Sequence, residues 1–109
     1  MNSKKNEFKE YVLDQLHRLN GVECKHMFGG FGLYCHAVFF GIIADGSVYF
    51  KTNTTTVDAY KEKGMHPFKP SEKQTLKNYY EVPAEILEDD EQLAEWARKA
   101  YYVGEKTSE

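Results

Sequence analysis

Three observations predict an α+β domain built on an antiparallel meander. Residues 27–51, MFGGFGLYCHAVFFGIIADGSVYFK, are dense in apolar and aromatic side chains, and Gly29-Gly30 and Asp45-Gly46 punctuate them with pairs suited to two-residue hairpin turns. Before this stretch, Phe8, Tyr11, Val12, Leu16 and Leu19 recur at helical spacing. After it, Leu93, Trp96, Ala97, Ala100 and Tyr101 do the same. No repeat or linker composition interrupts the chain, so residues 1–109 read as one domain, with 105–109 as a frayed tail.

Taken in order, residues 6–19 form the first helix, stopped by Asn20-Gly21, both of which tolerate a left-handed cap. Strands follow at 22–28, 31–35, 38–44 and 47–52, with an intervening turn at His36-Ala37 that lacks the usual turn residues. Asn53 or Thr54 caps a short middle helix that buries Val57 and Tyr60 and stops at Gly64. Residues 65–70 hold two prolines and suit an edge strand. Residues 71–77 are polar, a loop or a distorted strand start, and 78–82 are β-prone, which brings the sheet to about five or six strands. The C-terminal helix spans 83–103, with Asp89 as a cap, Gln92 at the third helical position and Gly104 as its stop.

The turns define a register. With turns at Gly29-Gly30, His36-Ala37 and Asp45-Gly46, Cys24 faces Cys35, Gly32 faces Gly41, and Ile42 faces Tyr49. Alternation then separates two faces. Met27, Gly32, Tyr34, Phe39, Gly41, Ile43, Val48 and Phe50 share one, whose paired glycines leave a hollow for helices. Cys24, His26, Phe28, Phe31, Leu33, Cys35, Val38, Phe40, Ile42, Tyr49 and Lys51 share the other. That second face is also largely apolar and needs a cover, from the chain itself or from a partner. The expected interaction face is Phe28, Phe31, Leu33, Phe40, Tyr49 and Lys51. On this register, Phe31→Asp or Phe40→Asp should disrupt association and leave the fold intact.

Composition narrows the function. A net charge of −3 and a pI near 5.8 disfavour direct nucleic-acid binding by this chain, because such affinity comes largely from neutralising phosphates. The N-terminus lacks an apolar signal region and no apolar run reaches membrane length, so a cytoplasmic location with two reduced thiols is expected. Cys35 and His36 are neighbours in a strand, which sends them to opposite faces and prevents a nucleophile–base pair. No catalytic residue and no cofactor are assigned, and the chain is not expected to be an enzyme. Gly29-Gly30-x-Gly32 lies between strands and not before a helix, which argues against a phosphate loop. The alternative reading is a small-ligand or metal-binding domain built on the Cys24/His26/Cys35 corner, although the spacing matches no common zinc pattern.

The ordered strings resemble the N-terminal domain of the TfoX/Sxy family, bacterial regulators of natural competence. They are Met27-Phe28-Gly29-Gly30-x-Gly32-Leu33-Tyr34, Ala44-Asp45-Gly46-x-x-Tyr49-x-Lys51, Gly64-x-x-Pro67-Phe68, Tyr79-Tyr80-Glu81-Val82-Pro83 and Leu93-x-x-Trp96-Ala97. Order and spacing agree from Phe8 to about Val103. The resemblance implies a two-layer α+β domain with a strongly bent antiparallel sheet and no catalytic residues. It also implies a protein partner, a transcription factor such as the cyclic-AMP receptor protein, at competence promoters. Full-length members carry a second, helical C-terminal domain, which would begin where this chain stops. Cys35-His36-Ala37 departs from the Asp-Gly turn common in the family, and His26 from the basic residue often found there. A homodimer is the other expected arrangement that would cover the second face.

Overall fold

A computed structural model describes residues 3–27 and 29–107. Its elements run α1 (Ser3–Gln15), β1 (Val22–Met27), β2 (Gly30–Cys35), β3 (Val38–Ala44), β4 (Ser47–Lys51), α2 (Val57–Glu62), β5 (Pro67–Ser71), β6 (Gln74–Glu81), α3 (Ala84–Leu87) and α4 (Asp90–Thr107). The six strands form one antiparallel sheet in the order β1-β2-β3-β4-β6-β5. The expected α+β meander is present, and β5, with Pro67 and Pro70, is an edge strand, where a missing N–H costs no ladder bond.

Local chemistry accounts for the element ends. Asn53 Oδ1 accepts from the backbone N–H groups of Thr55 and Thr56 at 3.0 and 3.2 Å, and Thr56 Oγ1 accepts from Asn53 N–H at 3.0 Å. This reciprocal turn leads into α2, whose Tyr60 is buried. Asp89 Oδ1 accepts from the N–H groups of Glu91 and Gln92, and Gln92 Nε2 donates back to Asp89 Oδ2 at 2.9 Å, which caps α4 as its sequence predicts. β6 begins at Gln74, earlier than expected, because Ser71 pairs with Gln74 across a tight turn to β5.

Two expectations at the C-terminus are corrected. α4 does not end at Gly104 but continues to Thr107, so the tail expected from residue 105 is helical through Thr107. Gly104 is a contact residue: a Cβ there would lie 2.5 Å from the Phe39 carbonyl oxygen, so its bare Cα lets α4 settle onto β3.

The register differs from expectation in two places. Met27 pairs with Gly30, which makes Gly30 the first residue of β2, and Cys24 therefore faces Leu33 and not Cys35. The shift is two residues, so the alternation of this pair survives. In the second hairpin, Tyr34 pairs with Phe39 and Cys35 with Val38, yet Leu33 pairs with Gly41 and Phe31 with Ile43. Phe40 is the extra residue of a β-bulge, which lets Phe40 point to the same side as Ile43. The proposed Gly32/Gly41 pair does not form; Gly32 faces Ile42, and a Cβ on it would meet the Met27 sulfur at 2.5 Å.

The bulge redistributes the two faces. On the helix side, Phe31, Leu33, Cys35, Phe40, Ile43, Val48 and Phe50 are buried with Val12 and Leu16 of α1, Ile86 of α3, and Leu93, Ala97 and Ala100 of α4. On the outer side, Ile42, Ala44 and Phe68 are buried among Phe39, Tyr49, Leu76 and Tyr79, and every member of that cluster comes from a strand. All the helical members of the two clusters therefore lie on one face of the sheet. Gln15 Nε2 donates to the Leu87 carbonyl at 2.9 Å, and Asp90 meets His17 at 2.7 Å and Arg18 at 3.3 Å, which ties the end of α1 to the start of α4.

The His36-Ala37 turn forms with φ of +50° and +67°, the two left-handed residues of a hairpin turn that glycine or asparagine would adopt more readily. Three outcomes follow from this turn and the bulge. Ala37→Gly is expected to raise the unfolding free energy by about 0.5–1 kcal/mol, because it relieves this conformation. Phe40→Ala should lower it by about 3–5 kcal/mol, and Phe40→Asp should unfold the chain, contrary to the register read from sequence. Urea denaturation followed by circular dichroism measures all three, and a native spectrum for Phe40→Asp would contradict the bulge.

Candidate functional site

The six residues expected to form one interaction face divide. Phe31, Leu33 and Phe40 are 5%, 0% and 0% exposed beneath the helices. Tyr49 and Lys51 stand on the outer face, half-buried, and Phe28 lies outside the described residues. The division has one cause: β2 turns its odd-numbered side chains toward the helices, and the bulge adds Phe40 to them, while β4 keeps Tyr49 and Lys51 outward.

The outer face is instead built from Tyr34, Phe39, Tyr49 and Tyr79 over a dry floor of Ile42, Ala44 and Phe68. Ring centroids lie 5.2 Å apart for Tyr34 and Phe39, 5.6 Å for Phe39 and Tyr79, and 4.6 Å for Tyr49 and Phe68, all tilted pairs within the favourable range. Two cations rest on the row: Lys25 Nζ is 4.9 Å from the Tyr34 centroid and Lys51 Nζ is 5.8 Å from that of Tyr79. Tyr34, Phe39, Tyr49 and Tyr79 are each half-buried, so the row is partly open. Tyr34 and Phe39 were absent from the expected site because strict alternation gave their face to the helices. Tyr79 falls opposite Tyr80 and Val82, as alternation along β6 predicts.

The Cys24/His26/Cys35 corner does not assemble. Cys24 lies opposite Leu33, Cys35 opposite Val22, and both thiols are free. Cys35 Sγ donates to the Asn20 carbonyl at 3.3 Å, and the His26 ring stacks on Phe31 at 4.7 Å. Burial pushes both thiols up, away from the thiolate that metal binding or nucleophilic attack requires; at Cys24 the Lys9 ammonium partly offsets this. Among the described residues no group of three or more His, Cys, Asp or Glu side chains is placed to hold a metal. The metal-binding alternative is therefore corrected: strand pairing sets its members against apolar neighbours and not against one another.

The outer row has a pH signature. Burial, and secondarily the neighbouring Tyr34 phenol, pushes Tyr79 up to about 12 from its ordinary value of 10.0. A raised folded-state value means that the neutral phenol contributes stability in full below the unfolded value and loses it as pH rises through the folded one. Stability should therefore fall between about pH 10 and 12, and Tyr79→Phe should flatten that fall. Urea midpoints of both proteins across this range check the point.

No described helix is long and apolar enough to cross a membrane. No curated protein matches the chain. The family described as the TfoX N-terminal domain matches residues 14–103 of the 109, which takes in α1 from its last turn, the whole sheet, α2, α3 and most of α4. The chain belongs to the TfoX N-terminal domain family.

Proposed function

We propose that this chain is a non-catalytic, cytoplasmic regulatory module that binds a protein partner through the outer face of its sheet. The observation that carries this reading is the row Tyr34–Phe39–Tyr79, half-buried over an apolar floor drawn from strands, with lysines on its rings. Tyrosines that present an apolar body and a polar tip, beside cations, are the composition of interface anchors. Membership of the TfoX N-terminal domain family supports a role in competence regulation. The partner class that fits this role is a transcription factor, with the cyclic-AMP receptor protein as the specific candidate. On this reading the domain acts on promoters through that partner, in keeping with its net charge of −3.

The test uses purified cyclic-AMP receptor protein and the full chain in a biosensor binding assay. Wild type should bind saturably, and Tyr34→Ala and Lys25→Glu should each weaken binding by about tenfold or more at unchanged thermal stability. Binding unchanged in both variants would remove the outer face from the interface. Self-association of the chain that Tyr34→Ala abolishes, measured by light scattering, would make this face a homodimer surface instead.

A further inference from the structure

A second surface has a different chemistry. The end of β4 and the middle of β6 meet α2 and the second half of α4 around an open cleft. Its two lobes, of about 360 and 590 Å³, share Lys51, Asn53 and Val103 in their walls. Each lobe falls within the roughly 300–1,000 Å³ of small-molecule sites. Lys51, Lys61, Lys77, Lys99 and Lys106 line the cleft, and among the described residues no carboxylate does. Asp58 and Glu95 belong to the same helices yet are not part of its walls. Among the described residues none of the five lysines is in an ion pair; the pairs present involve Lys9, His17, Arg18 and Lys63.

The chain carries −3 overall, so a cleft lined by five lysines that form no ion pair runs against its bulk charge. Like charges gathered in a cleft repel one another and focus a field that an anion relieves. The walls add a second preference. Tyr60, Trp96 and Tyr102 line the smaller lobe. Tyr60 is buried and meets Trp96 edge-on at 4.7 Å, while Trp96 is half-buried and Tyr102 is 57% exposed. Aromatic walls beside lysines suit a ligand that joins a flat ring to phosphate groups. Asn53 and Thr56, held by their own reciprocal hydrogen bonds, bring polar groups to the same lobe.

We propose that this cleft binds a nucleotide, with its phosphates among the lysines and its base against Trp96 and Tyr102. The site is distinct from the outer face and does not rest on the partner-binding reading. Among the described residues only Lys51 borders both.

Trp96 is the chain's one tryptophan and reports from inside the cleft. The experiment titrates ATP onto the full chain, followed by tryptophan fluorescence and by isothermal calorimetry, with inorganic tripolyphosphate as the ring-free control and a twelve-residue oligothymidylate as the polymer control. ATP should bind saturably and at least about tenfold more tightly than tripolyphosphate. Lys99→Glu/Lys106→Glu should weaken ATP binding by at least about tenfold, and Lys73→Glu, on the turn outside the cleft, should not change it. Lys99→Gln/Lys106→Gln replaces the reversal if circular dichroism shows that the added acids disturb α4. Absence of ATP binding up to about millimolar concentration, tripolyphosphate binding equal to that of ATP, or indifference to both lysine variants would each overturn the proposal. Oligothymidylate binding about a hundredfold tighter than ATP would also overturn it, because the cleft would then be a groove for single-stranded nucleic acid.

Discussion

The rest of the structure depends on the placement of Phe40. A strand alternates its side chains, so an apolar stretch such as Val38–Ala44 would divide its bulk evenly between two faces. The bulge interrupts that rule at one residue. Phe40 is added to the helix-side core, where its centroid lies 5.8 Å from that of Phe50, and Ile43 follows it inward. Ile42 and Ala44 are sent outward to join Phe39. One inserted residue thus fills the core beneath α4 and supplies the floor of the opposite face.

That placement explains how a single sheet carries two separate packing clusters. Under the helices, Leu33, Phe40 and Phe50 are fully buried and meet apolar positions from α1, α3 and α4. Close approach of α4 is possible because Gly104 presents no Cβ to the Phe39 carbonyl. On the outer face, Ile42 is fully buried by strand side chains alone, with Phe68 of the edge strand stacked on Tyr49. The hairpin of β5 and β6 therefore extends the sheet and also roofs part of its outer surface. The rings beside that roof remain half-open.

The two candidate surfaces arise from different levels of organisation. The aromatic row is a property of pleat and register, since Tyr34, Phe39 and Tyr79 come from three strands and share a face only once the bulge is in place. The lysine cleft is a property of element packing. Lys61 belongs to α2 and Lys77 to β6, while Lys99 and Lys106 belong to α4 and Lys51 to β4. No local cluster in the chain reveals their convergence.

Much was determined by the sequence itself, where the governing forces are local. Apolar spacing marked α1 and α4, Asp89 and Gln92 marked the capping box, paired prolines marked the edge strand, and Asp45-Gly46 marked a hairpin whose φ values of +52° and +75° match its residues. The ordered strings were sufficient to indicate the family. Only the tertiary structure decided which face each ring occupies. Phe31, Leu33 and Phe40 look the same in sequence whether they dock a partner or a helix, because burial depends on what packs above them. The first turn slipped by one residue without consequence, since a two-residue register shift preserves alternation. The bulge shifted the register by one, and a one-residue shift reverses every side chain beyond it.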